Sequence, residues 1–140
     1  MLNTTRYTTE LNVRPDDIDM FRHVHSSKYI DYVLAARYDQ MGSCYKMPMS
    51  EFMDNGFGWV ISSCFIEYKR ALTLGETFTV TTWVEALEGS TVKVNFEINK
   101  IKGNKLSCNG SFIYSLINLE STRAVIIPDW IIERYSISDN

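Results

Sequence analysis

The sequence predicts an α+β domain in which one long helix faces an antiparallel sheet, and three observations lead there. Turn signals cut the second half of the chain into four segments rich in β-branched and aromatic residues. Within one of them Val92, Val94, Phe96 and Ile98 alternate with Lys93, Asn95, Glu97 and Asn99, the pattern of a strand with one wet face. Ahead of these segments Tyr29, Ile30, Val33, Leu34, Ala36 and Met41 recur at helical spacing.

Taken in order, residues 7–13 form a short strand, ended by Pro15, which lacks a backbone donor. Ser26-Ser27 supplies an N-cap for the long helix, which runs to Gly42. Residues 49–55 add a short helical turn. Strands are expected over 58–69, 76–87, 91–102 and 105–119 as an antiparallel meander, with turns at Leu87-Glu88-Gly89-Ser90 and Lys102-Gly103-Asn104-Lys105. The last strand is apolar on both faces, through Cys108, Phe112, Tyr114 and Leu116 and the opposite-parity Ile113 and Ile117, so it belongs inside the sheet. Pro128-Asp129-Trp130 opens a C-terminal helical turn. One helix covers only one face of such a sheet, and open sheet edges invite a second chain, so a dimer is expected.

Bulk properties narrow the function. A chain of 140 residues with 45% hydrophobic residues builds a single domain, 1–140, around one core. The formal charge of −3 arises from interspersed charges with no basic block, which argues against a nucleic-acid partner. The longest apolar runs fall far short of the roughly 20 residues of a membrane-spanning helix. The first residues, Met1-Leu2-Asn3-Thr4-Thr5-Arg6, have no apolar core and do not read as a signal peptide, so a cytoplasmic location is expected. Cys44, Cys64 and Cys108 are odd in number and widely spaced, against both a disulfide framework and a zinc site. Cys64 and Cys108 are expected to pack in the core as reduced thiols.

The chemistry concentrates between the first strand and the long helix, where Asp17, Asp19, Arg22 and His23 fall within seven residues and His25 follows. Aspartates ahead of a helix often serve only as turn or dipole partners. Yet a helix that begins near Ser26 or Ser27 presents unpaired backbone N–H groups able to polarise a carbonyl, and a carboxylate on the loop leading into it can face that same carbonyl. An aspartate is ordinarily ionised at neutral pH, so Asp19 can act as a general base on water or attack an activated acyl carbon directly. His23 and His25, two residues apart, suit no metal site, and no cofactor is implied. His23 is expected to shape the loop or assist acid–base chemistry. Glu67, in Phe65-Ile66-Glu67-Tyr68, is the other carboxylate weighed for the site.

These residues resemble the hotdog-fold thioesterases, in particular the 4-hydroxybenzoyl-CoA and short-chain acyl-CoA thioesterase family. That family's entry motif runs approximately Asp-x-Asp-x-x-Gly-His-Val-Asn-Asn-x-x-Tyr, with Ala-Arg in the following helix. Here it reads Asp17-Ile18-Asp19-Met20-Phe21-Arg22-His23-Val24-His25-Ser26-Ser27-Lys28-Tyr29, followed by Ala36-Arg37. The resemblance implies a hotdog fold, a five-stranded antiparallel sheet wrapped around one long helix, dimerising through the sheet into a homodimer or dimer of dimers. It also implies hydrolysis of an acyl-CoA or acyl-carrier-protein thioester, with active sites between subunits. Asp19 takes the place of the catalytic aspartate, and the backbone amide at Ser26 that of the carbonyl-polarising donor. Ser27, Tyr29 and Glu67 are expected to border the substrate, and Lys69, Arg70 and Lys93 to meet its phosphates. The motif departs from the family's in three places: Arg22 stands for the glycine, His25-Ser26 for the Asn-Asn pair, and Leu87-Glu88-Gly89-Ser90-Thr91 for a turn rich in arginine and lysine. Two other functions fit the fold, a hydratase or dehydratase of enoyl thioesters and a non-catalytic acyl-thioester binding module. The first lacks its proline- and glycine-rich loop here and the second its effector domain.

Overall fold

The computed structural model describes residues 1–136. Five strands, β1 (Tyr7–Asn12), β2 (Phe57–Tyr68), β3 (Thr77–Glu88), β4 (Thr91–Lys100) and β5 (Lys105–Asn118), form one antiparallel sheet. The long helix α1 (Lys28–Ser43) packs against it, and two short helices, α2 (Met49–Asp54) and α3 (Asp129–Arg134), close its far end. This is the hotdog arrangement that the resemblance implies.

The strand order is β1-β3-β4-β5-β2. Strands β3, β4 and β5 are the expected meander, but β2 corrects it, because it pairs with β5 and lies at the edge. Its chain does not turn back into β3. Residues 69–76 carry it across the end of the sheet, held by the amides of Lys69 and Arg70 on the Ser107 carbonyl at 2.8 and 2.9 Å and by Leu72, which is fully buried. Strand β5 is thereby flanked on both sides, as its two apolar faces require.

The β4 alternation is realised residue by residue, with Val92, Val94, Phe96 and Ile98 buried and their neighbours half-buried. The β3–β4 turn uses Gly89 at φ 60°, and the β4–β5 turn uses Gly103 at 83° and Asn104 at 47°, both in the left-handed region that glycine and asparagine tolerate. From α1, Tyr29, Tyr32, Val33, Ala36, Arg37, Gln40 and Met41 turn inward. Towards its start they pack with Phe78, Phe96 and Phe112, and towards its end with Val84, Val92, Leu116 and Ile131. The buried Gln40 amide fixes the helix laterally. Its Nε2 donates to the Tyr7 carbonyl at 3.2 Å and the Thr9 hydroxyl at 3.0 Å, and its Oε1 accepts from Thr82.

Of the cysteines, Cys108 is buried as expected and its thiol is pushed up to about 12 by desolvation. Cys64 corrects the expectation of core packing. It is exposed because β2 is an edge strand whose residues are largely uncovered. Among the described residues no helix is long and apolar enough to cross a membrane.

Candidate active site

The loop into α1 is built on Asp17. After one turn of 3-10 helix (Pro15–Asp17), its carboxylate is buried, accepting the Tyr32 hydroxyl at 2.6 Å and Arg14 Nε at 2.9 Å. The Arg14 and Tyr32 hydrogen bonds, in that order, hold its pKa below the ordinary value against the opposing pull of burial. Its carbonyl receives the His25 amide at 2.8 Å. Asp17 thus clamps both ends of the loop that carries Asp19.

Residues 18–24 form a small closed loop, bridged between Ile18 and Val24. Asp19 is half-buried, and its Oδ1 accepts the amides of Phe21 at 2.8 Å and His23 at 3.3 Å. Neither bond uses Oδ2, which stays available for chemistry. Arg22, standing where the family motif has glycine, takes φ 65°, so the left-handed conformation is kept with a side chain in place. His23 bridges to Thr73, and the Val24 amide donates to the Leu72 carbonyl at 2.8 Å. The loop is therefore pinned to the β2–β3 crossover.

At the start of α1 the cap differs from the expected serine cap. Ser27 is the N-cap residue, but its side chain makes no capping bond to the helix. His25 supplies the contact instead, with Nδ1 2.8 Å from the Ser27 hydroxyl and accepting the Ser27 amide at 3.2 Å. The Ser26 carbonyl accepts the Tyr68 hydroxyl at 2.7 Å, and the Ser26 amide donates to no protein group among the described residues. Tyr68 also packs edge-on against Tyr29, 5.3 Å between centroids, and the Tyr29 hydroxyl accepts the Leu72 amide at 2.9 Å.

One cleft of about 320 Å³ brings together Asp19, His23, Ser26, Tyr29, Lys69 and Arg70, with Val24, His25, Tyr68 and Ala71 completing its wall. Ser27, Glu67 and Lys93 do not line it. The Ser27 hydroxyl faces the His25 ring, Glu67 pairs with Lys69 at 3.4 Å and borders a hollow beside Trp83 and Asn95, and Lys93 pairs with Glu85 at 2.9 Å. Sequence reasoning missed Tyr68, whose only signal was an aromatic residue at the end of a strand. It also missed Lys100, Lys102 and Lys105, which with Arg70 line a second cleft of about 680 Å³ and whose clustering round the Gly103-Asn104 turn was visible.

Comparison with known proteins agrees with this fold. The Escherichia coli K12 protein named long-chain acyl-CoA thioesterase FadM is 19% identical over 119 residues, spanning 85% of this chain and 89% of that one. A DHNA-CoA thioesterase structure from Staphylococcus aureus superposes with a TM-score of 0.85 at 22% identity, over 93% of this chain and 88% of the other. A second S. aureus protein, solved in complex with CoA, gives a TM-score of 0.81 at 16% identity over 96% and 84%. At these identities the structural likeness is one of fold, whereas the model of the thioesterase-like superfamily matches residues 13–135, nearly the whole domain. The chain belongs to the thioesterase-like superfamily.

Proposed function

We propose that the protein hydrolyses acyl-CoA thioesters to the free acid and CoA, with Asp19 as the reacting carboxylate and the Ser26 amide as the donor to the carbonyl oxygen. The observation that carries this reading is the meeting, in one cleft, of a carboxylate with an unengaged Oδ2 and an unengaged amide at the entrance to α1. The His25 carbonyl, which shares its peptide plane with the Ser26 N–H, accepts the Lys28 amide at 2.9 Å, and this bond supports an N–H oriented before substrate arrives.

Two routes use this arrangement. As a base, Asp19 Oδ2 takes a proton from water as the oxygen attacks the thioester carbon. The Ser26 amide stabilises the resulting oxyanion, and collapse expels the thiolate, which takes up the proton. As a nucleophile, Oδ2 displaces the thiolate to give a mixed anhydride that water then opens. Lys69 and Arg70 at the cleft rim, and Lys102 and Lys105 beyond Arg70, supply cations for the phosphates of CoA.

The active unit in this reading is a homodimer. Val60, Ile61, Phe65 and Tyr68 are exposed on the edge strand β2, which offers both backbone hydrogen-bonding groups and apolar surface to a second copy. Antiparallel pairing of two β2 strands about their midpoint sets Tyr68 of one copy opposite Phe57 of the other. The Asp19 cleft of each copy then adjoins the other's surface around Phe57 and Trp59.

Asp19→Ala should abolish most thiol release from acyl-CoA substrates, by about 100-fold or more, while leaving the circular dichroism spectrum and thermal midpoint close to wild type. Turnover within a few-fold of wild type in a folded variant would overturn the assignment. Running acyl-CoA beside acyl-carrier-protein thioesters identifies the carrier.

A further inference from the structure

Arg37, near the middle of α1, is 4% exposed. Its guanidinium lies 4.9 Å from the centre of the Tyr45 ring, and Nη2 donates to the Tyr135 hydroxyl at 3.4 Å. Nη1 has no hydrogen-bond partner, and no carboxylate pairs with the side chain among the described residues. The surrounding phenols leave its charge unbalanced, because burial raises the pKa of Tyr45 and Tyr135 and pushes Tyr114 up to about 12. A buried cation without a partner is costly, and one that is kept this way calls for an anion.

Two more donors converge on the same spot. Among the described residues Trp59 Nε1 and the Tyr114 hydroxyl are buried without partners, and with Arg37 they border a cavity of about 20 Å³, room for about one water. This cavity is the inner end of a groove of about 560 Å³, since Arg37, Met49, Trp59 and Tyr114 line both. The groove's remaining wall is largely apolar, including Leu34 and Phe57. A passage that is greasy along its length and ends in a cation with two further donors matches a ligand that is apolar along its length and anionic at its tip.

We propose that this groove receives the distal end of the acyl group and that Arg37, Trp59 and Tyr114 bind a terminal carboxylate, making ω-carboxyacyl thioesters the substrate class. The inference rests on the thioester-hydrolase reading above and deepens it. Position supports it, because Phe57 and Trp59, which line the groove, lie at the end of β2 that the proposed strand pairing brings to the Asp19 cleft of the other copy. In the proposed dimer the groove of one copy adjoins the Asp19 cleft of the other, so the chain crosses between subunits.

The test compares ω-carboxyacyl-CoA with the matched unsubstituted acyl-CoA of the same length, in wild type, Arg37→Met and Trp59→Phe. Thermal shift with the free dicarboxylic and monocarboxylic acids supplies a readout independent of turnover. Wild type should favour the ω-carboxy substrate in kcat/KM by about tenfold or more, the discrimination expected of a hydrogen-bonded charge, and the diacid should raise its melting midpoint more than the monoacid does. Arg37→Met should erase or reverse both preferences. Trp59→Phe, which removes one donor and keeps an aromatic ring, should reduce them, and it serves should Arg37→Met fail to fold. Equal hydrolysis of both substrates with equal thermal shifts would overturn the carboxylate site while leaving the hydrolase reading intact. Diacid-selective stabilisation without hydrolysis of either substrate would instead support the site and remove the hydrolase reading.

Discussion

Asp17 and Asp19 stand two residues apart in one motif, yet the structure gives the first a purely architectural task, and replacing it tests that division. The Asp17 carboxylate is 3% exposed and accepts the hydroxyl of Tyr32, itself 5% exposed, at 2.6 Å. A hydrogen bond to a charged group is worth about 1.5–3 kcal/mol, and stranding a buried donor costs about the same. Asp17→Ala should therefore lose about 2–3 kcal/mol, a fall of about 6–10 °C in melting midpoint for a chain of this size. Tyr32→Phe should lose a similar amount, and the double variant little more than either. Urea unfolding of all four proteins at one fixed concentration gives the coupling directly. It should be about 2 kcal/mol, and a coupling below about 0.5 kcal/mol would refute the clamp. The pH dependence has a definite sign. Because the folded-state pKa of Asp17 lies below its ordinary 3.8, its ionic contribution is fully present above that value. It is lost as pH falls through the lower, folded-state pKa, so the gap between wild type and Asp17→Ala should narrow in acid and stay constant from about pH 5 upward.

Three further outcomes follow from single residues. Arg22→Gly should stabilise the protein by about 0.5–1 kcal/mol, since relief of the left-handed conformation at φ 65° outweighs the entropy glycine adds to the unfolded chain; a lower denaturation midpoint would contradict this. Gly110→Ala should cost about 3 kcal/mol or prevent folding, because a Cβ there would overlap the Phe65 carbonyl oxygen and come within 2.8 Å of the Phe96 ring; a variant of wild-type stability would show that β2 and β5 can separate freely. Ile61→Lys places a charge on the exposed edge of β2 and should shift the protein to monomer in analytical ultracentrifugation, and an unchanged dimer would move the interface elsewhere.

The sequence carried the elements better than their arrangement. The alternation along β4 and the positive-φ residues of the two hairpin turns were legible because each depends on neighbours in the chain. The edge position of β2 was not, because strand order is decided by which apolar faces find cover, and the meander reading needed only turns. Exposure of Cys64 follows from that same order. At the site, the grouping of Asp19, His23 and Ser26 was legible because a short loop holds them together, and Lys69 and Arg70 were candidates because the family's basic turn is missing here. The difference between Asp17 and Asp19 was hidden, since it comes from Tyr32, fifteen residues away, and from burial. The His25 cap was equally hidden, because serine is the commoner cap and imidazole a rare one.

The fastening of residues 18–24 to the β2–β3 crossover has a consequence for how the site behaves in time. Loops that carry reactive groups usually fluctuate more readily than the sheet beneath them. Here the His23–Thr73 bridge, the Val24 amide on Leu72 and the Leu72 amide on Tyr29 join the loop, the crossover and the first turn of α1 into one unit anchored by a fully buried leucine. Asp19 is thus carried on an open surface with the steadiness of the core, and a substrate meets its carboxylate already aimed.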